Sequence, residues 1–216
     1  MKLVSVNVGG PRDLIWKGKS VTTSIFKVPV AGRVKLRTLN LDGDRQSDLT
    51  VHGGVHKAIY GYPSEHYAYW RREFPGIELP WGMFGENLTV EGLFEDELNI
   101  GDQVRIGSAE LAVTQPRLPC YKLAVKFGRD DIIERFLDSR RTGFYFAVLR
   151  EGDVGAGDSI ELISRNVNEV KVAEITRLYL DGQDDLQALQ RAVRVDALPK
   201  SWRTHFESQL EKLRAR

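Results

Sequence analysis

Cys120 is the only cysteine in the chain, and it stands in the segment Gln115-Pro116-Arg117-Leu118-Pro119-Cys120-Tyr121-Lys122-Leu123. Each proline fixes its own φ and disfavours the α region for the residue before it, which stiffens the approach to the thiol. Arg117, Lys122, Lys126 and Arg129 place positive charge around it. The run after Pro119 reads as a helix start, so Cys120 falls near a helix N-terminus. Basic neighbours and a helix N-terminus both favour thiolate over thiol. A thiolate is a soft metal ligand or a nucleophile. The alternative is a passive thiol, since free cysteine is among the most buried residue types.

A second candidate is Gly43-Asp44-Arg45-Gln46-Ser47-Asp48-Leu49-Thr50-Val51-His52-Gly53-Gly54-Val55-His56-Lys57-Ala58. Adjacent glycines let successive backbone N–H groups converge on an anion, and His52 and Lys57 add donors. The same residues also read as a long polar turn before a strand. A cysteine hydrolase built from Cys120, His52 and Asp48 or Asp44 is a further reading, if those groups meet. In Gly82-Met83-Phe84-Gly85-Glu86-Asn87-Leu88, Glu86 and Asn87 either orient a ligand or mark a plain loop-to-strand junction. Arg140 and Arg141 precede an apolar strand, where arginine suits phosphate but is also commonly solvated. Lys27 interrupts the apolar run Ile25-Phe26-Lys27-Val28. In a strand it points either to solvent by alternation or into a cofactor pocket.

Several chemistries lack their signatures. Gly155-Ala156-Gly157 has no third glycine and precedes a strand, against a dinucleotide fingerprint. No phosphate loop ends in Gly-Lys-Ser/Thr. His52 and His56 have a zinc-like spacing, but Gly53-Gly54 between them opposes a helix. One cysteine excludes an intramolecular disulfide and a cysteine-ligated iron–sulfur cluster. The formal net charge of +1 points to neither a nucleic-acid polymer nor a membrane as partner. The apolar start of the chain is cut short by Gly9-Gly10-Pro11-Arg12, against a signal segment, and a cytoplasmic protein is expected.

The elements that must position these residues are mostly strands. The 216 residues suffice for one large domain, or a domain with a small appendage. Alternating or β-branched runs predict strands over residues 3–8, 21–28, 34–39, 58–62, 87–90, 103–106, 111–114, 144–149 and 159–163. Turns such as Asp42-Gly43-Asp44 and Gly155-Ala156-Gly157-Asp158 separate them. Many short strands with few helices between them predict a mainly β, α+β fold around a closed barrel. Helices are expected over 63–74 and, as one broken helix or two, over 120–139. Beyond about residue 165 come three more, over 172–180, from a cap at Asp184-Asp185, and from Pro199. This gives a barrel domain over 1–164 and a three-helix domain over 165–216. The second holds no cysteine and only His205, against a metal role, and it is expected to be dispensable for chemistry at the bare site but important for physiological turnover. Lys200, Arg203, Lys212, Arg214 and Arg216 give its last helix a basic surface, either merely solvated or a dock for an acidic partner.

Four segments in order resemble the MOSC domain family, in its bacterial YiiM-like branch. They are Gly43-Asp44 leading to Val51-His52-Gly53-Gly54 and Lys57-Ala58, then Tyr62-Pro63 with Glu65-His66-Tyr67 and Trp70. Next come Phe84-Gly85-Glu86-Asn87-Leu88, and Gln115-Pro116-Arg117 with Pro119-Cys120, Lys122 and Leu123. The match covers about residues 1–163, and the tail is similar to the three-helix module of that branch. One departure is His56, where the family commonly has aspartate. The resemblance implies a MOSC-type β-barrel that binds molybdenum cofactor, a molybdopterin, with Cys120 as the protein ligand to molybdenum and the catalytic residue. It assigns Lys27, His52, Gly53, Gly54, Lys57, Glu86, Asn87, Gln115, Arg117 and Arg141 to holding the pterin and its phosphate. The implied activity is reduction of N-hydroxylated compounds, 6-N-hydroxylaminopurine and related base analogues, to the amines. Electrons would come from a flavoprotein reductase, to a monomer or homodimer. Two other readings stand beside it: a non-catalytic carrier of the cofactor or of sulfur, and a cysteine hydrolase without metal.

Overall fold

The structure is a computed structural model that describes residues 1–47, 53–181 and 185–215. Its main sheet has eight strands. In chain order these are β1 (Lys2–Val8), β4 (Val28–Pro29), β6 (Ile59–Pro63), β7 (Leu88–Glu91), β8 (Gln103–Ile106), β9 (Ala109–Pro116), β10 (Phe144–Arg150) and β12 (Ile160–Ser164). Across the sheet they run β12-β8-β9-β10-β6-β7-β1-β4, all antiparallel except the parallel pair β6–β7. Two small pairs flank it: the hairpin β2 (Arg12–Trp16) with β3 (Lys19–Thr23), and β5 (Arg33–Leu36) with β11 (Gly152–Gly155).

The expected closed barrel is reached only in part. No continuous ladder among the described residues joins the two ends of the sheet. A single bridge, Lys2 to Ser159, ties the start of β12 to the start of β1. Backbone bonds from Leu3 N to Asp158 O (2.9 Å), Gly157 N to Leu3 O (2.8 Å) and Ile160 N to Met1 O (3.0 Å) support it. What stands is a strongly mixed α+β fold whose sheet curls until its far edges touch.

Six helices accompany the sheet: α1 (His66–Glu73), α2 (Tyr121–Phe127), α3 (Ile132–Asp138), α4 (Val172–Leu180), α5 (Leu186–Ala192) and α6 (Lys200–Arg214). The 120–139 stretch is two helices, because Gly128 takes a left-handed φ of 68° and ends α2. The 63–74 helix begins later than expected, since β6 runs to Pro63. The cap of α5 is Asp185, whose carboxylate accepts from Ala188 N at 3.0 Å; Asp184 lies outside the described residues. No helix among the described residues is long and apolar enough to cross a membrane.

Strand β6 is buried on both faces and separates two cores. Ile59 faces an aliphatic core with Leu3, Val6, Leu88, Val104, Leu111, Val113, Phe144 and Phe146. Tyr60 and Tyr62 face an aromatic one with Tyr67, Trp70, Phe84, Phe127 and Phe136. There Trp70 stacks on Phe136, ring centroids 6.0 Å apart, and its indole N–H donates to Tyr62 Oη at 2.6 Å. The aliphatic core continues without a break into Ile175, Leu178, Leu189, Phe206 and Leu210 of the last three helices. Residue 165 thus marks where strands give way to helices, with one core running through both parts.

Candidate active site

Cys120 is the N-cap of α2, with extended backbone at φ −118° and ψ 168°. Pro119 before it and the helix after it fix where the half-exposed thiol stands. It lines a cleft that encloses about 670 Å³ with its open mouth, within the range of small-molecule sites. Lys27, Arg45, Lys57, Arg117 and Lys122 line the same cleft, with Ser24, Gly53, Tyr60, Asn87 and Tyr145. No acidic residue lies among its described lining.

Each cation is held differently. Lys27 is locked against the buried Asp44, its Nζ 2.5 Å from both carboxylate oxygens. Burial pushes the Lys27 ammonium down in pKa, and Asp44 pulls it back. Asp44 also accepts from Gly9 N and Asn87 Nδ2, both at 2.9 Å. The strand expected over 21–28 stops at Thr23, so Asp44 rather than strand alternation aims Lys27. Burial likewise lowers the pKa of Lys57, with the Cys120 sulfur acting in the opposite sense. Arg117 is 6% exposed, and its guanidinium lies 5.0 Å from the Tyr60 ring and 5.2 Å from that of Phe136. Its Nη1 and the Ser24 hydroxyl are buried with no hydrogen-bond partner among the described residues. Two unpaired buried polar groups thus stand in one cationic cleft.

The glycine pair is required by its backbone. Gly53 has φ 108° and Gly54 φ 81°, where side chains are strained, and together they turn the chain into the short 3-10 turn Val55–Lys57. Gly53 lines the cleft, and Gly54 is exposed beside it in the chain. His52 and Asp48 lie outside the described residues.

Two expected cofactor residues are placed elsewhere. Glu86 is fully buried and faces its own loop. It accepts from Tyr67 Oη, Gly82 N (2.8 Å), Phe84 N (3.1 Å) and Thr89 Oγ1 (2.9 Å). The sequence could not separate this from a ligand role, because both need a carboxylate beside glycines. Arg141 lies 4.0 Å over the Tyr69 ring, donates to Ser139 O, and does not line the cleft. Of the groups in the hydrolase reading, Asp44 is engaged by Lys27, Gly9 and Asn87, and both His52 and Asp48 lie outside the described residues.

Gln115 lines a second cleft that also includes Cys120. Its amide nitrogen donates to His56 O at 3.0 Å, and its oxygen accepts from Trp202 Nε1 at 2.6 Å. Tyr179, Ser201, Trp202 and His205 line this cleft, which shares Lys57, Leu118, Cys120 and Tyr145 with the first. The C-terminal helices, expected to stand apart from the chemistry, therefore reach its edge. Tyr145 had a legible cue in its strand position, but Ser24 had none. On α6, Arg203 is half-buried, with Nη1 3.7 Å from Asp196, so part of the expected basic surface is tied to the chain itself.

Comparison with known proteins agrees with this layout. The MOSC domain model matches residues 48–161, and the YiiM-like 3-alpha helix domain model matches residues 172–213. The chain is 41% identical over 211 residues to YflK of Bacillus subtilis, covering 98% of this chain and 95% of that protein. It is 40% identical over 182 residues to YiiM of Escherichia coli, covering 83% and 81%. A protein of Gibberella moniliformis named "Reductase" is 30% identical over 164 residues, 74% of this chain and 29% of that longer one. The crystal structure of YiiM from Geobacillus stearothermophilus superposes with a TM-score of 0.81 at 36% identity, covering 97% and 98%. By these matches the chain belongs to the MOSC domain family, in its YiiM-like branch.

Proposed function

We propose that the chain holds molybdenum cofactor at Cys120 and reduces N-hydroxylated compounds, including 6-N-hydroxylaminopurine and related bases, to the amines. One observation carries the reading. A thiol at a helix start shares a cleft with a cationic wall, where Arg117 Nη1 and Ser24 Oγ are buried and unsatisfied. This donor set fits the cofactor. Among the described residues no three His, Cys, Asp or Glu side chains gather to hold a metal. A metal that brings its own dithiolene sulfurs needs only one soft protein donor, which Cys120 offers. The cofactor's phosphate would meet Arg45, Lys57, Arg117 and Lys122, since Asp44 already balances Lys27. The resemblance to a named reductase agrees with redox chemistry.

The reaction is R–NHOH + 2 e⁻ + 2 H⁺ → R–NH2 + H2O. The N–O bond breaks, an N–H bond forms, and the oxygen leaves as water. When bound, the cofactor supplies the two-electron chemistry. The chain's own share is to bind, orient and deliver protons. Arg117, rigid between two rings, fixes the anionic end. Lys57 lines both clefts beside Cys120, and its lowered pKa suits Nζ to donate one of the two protons. A flavoprotein reductase is the electron donor in this reading.

The test is turnover of an N-hydroxylated base with reduced viologen as electron source. Protein from a cofactor-competent host should consume the base, and protein from a cofactor-deficient host should not. Equal turnover by both preparations would refute the reading.

A further inference from the structure

The second cleft has a rigid aromatic wall. Tyr179 lies in the last turn of α4, Trp202 in the first turn of α6, and His205 one turn later. The Tyr179 ring is 5.1 Å from that of Trp202 and 5.2 Å from that of His205. Tyr179 is 37% exposed, whereas Trp202 is 8% exposed. The Trp202 indole N–H donates to Gln115 Oε1 on β9 at 2.6 Å, which orients the ring. Gln115 is itself tied to His56 O, so helix, strand and glycine-pair loop are braced together.

Simple packing of α4 on α6 explains the buried Trp202. It does not explain why Tyr179 and His205 stay open to a cleft that Cys120 also lines. Nor does it explain why that cleft carries no acidic residue among its described lining. A flat, partly desolvated aromatic surface recognises flat rings, and stacking tolerates many of them.

We infer that this cleft binds the organic part of the substrate, a planar aromatic or heteroaromatic ring carrying an N-hydroxyl group. The ring lies against Tyr179, Trp202 and His205, and the N–OH points along the shared wall toward Cys120. Substrate and cofactor then approach the thiol through different clefts. This assignment rests on the reductase reading above and adds to it the place and shape of the substrate.

The test separates ring binding from chemistry. Cofactor-free protein is titrated with 6-N-hydroxylaminopurine and with adenine by calorimetry and by quenching of tryptophan fluorescence. Tyr179→Ala and His205→Ala should each weaken binding about 10-fold. Ser201→Phe, at an exposed lining position, should block it while leaving the melting temperature unchanged. In loaded enzyme, the first two variants should raise KM for the purine about 10-fold and leave kcat within about 3-fold. Their molybdenum content and their turnover of N-methylhydroxylamine, which has no ring, should match the parent. Unchanged purine affinity in Tyr179→Ala and Ser201→Phe would overturn the cleft assignment, whatever the activity. Ring binding that is lost in those variants, in a protein that never takes up molybdenum, would uphold the cleft and sink the reductase reading instead.

Discussion

Glu86 and Arg117 are both charged, both buried and both set beside the same aromatic core, yet they are built to opposite ends. Glu86 receives donors from Tyr67, Thr89 and the backbone of Gly82 and Phe84. Arg117 keeps Nη1 without a partner among the described residues. A carboxylate completed by its own chain holds a loop in shape. A buried cationic nitrogen left unpaired would gain from an arriving anion, which is the role proposed for Arg117. The contrast separates a charge that the fold itself completes from one that the proposed function would complete.

Cys120→Ser should have the largest effect. A serine hydroxyl stays protonated and is a harder donor, so turnover should fall by about three orders of magnitude or more, the scale of a group the chemistry needs. Stability should change by only about 1 kcal/mol. Measuring kcat beside thermal melting checks both halves, and retained turnover in the loaded variant would remove Cys120 from the chemistry.

Glu86→Ala tests the opposite pole. It strands two amides and the hydroxyls of Tyr67 and Thr89 in the interior, and should cost about 3 kcal/mol in urea unfolding. A loss under 1 kcal/mol would mean that the 82–89 loop does not depend on its carboxylate. Arg117→Met should cost less stability, because with the ring contacts and the bonding to the Tyr60 and Tyr145 hydroxyls it also removes an unpaired buried nitrogen. Its cofactor retention after gel filtration should fall about 10-fold, the worth of one charged hydrogen bond. If Arg117→Met proved the less stable of the two and kept its cofactor, the contrast would be reversed.

How far the sequence showed this division depends on the residue. Strand β8 and the inward face of β9 were legible because Val104, Ile106, Leu111 and Val113 alternate cleanly. Strand β2 was missed, since Ile15 is 71% exposed and the hairpin buries too little to leave a pattern. Cys120, Arg117 and Lys122 were found together because they are neighbours in one stiff segment. Glu86 and Arg141 were misplaced because residue type does not say which way a charged side chain turns. The pairing of Gln115 with Trp202 spans 87 residues and two element types, and no local pattern encodes it.

The smallest effect concerns Lys126, which donates to Ile25 O (2.9 Å) and Gly82 O (2.5 Å) beneath the cationic cleft. Its pKa is lowered to about 8, first by burial; Glu86 opposes the shift, and Lys27, Arg117 and Arg12 add to it. The folded value lies below the ordinary 10.5. Between these pH values the unfolded chain binds more protons, so stability should rise as pH climbs from about 8 to about 10.5. Lys126→Met should flatten that part of the rise in denaturant titrations. An identical slope in parent and variant would show that Lys126 titrates normally.

The central claim is that the cationic cleft beside Cys120 is completed by a phosphate-bearing pterin that carries molybdenum. The most direct measurement is the stoichiometry of molybdenum and oxidised pterin in the parent chain, purified from a cofactor-competent host. About one of each per chain is expected, with both falling together in Cys120→Ser and Arg117→Met. A parent chain that reduces N-hydroxylated bases while holding neither would contradict the account.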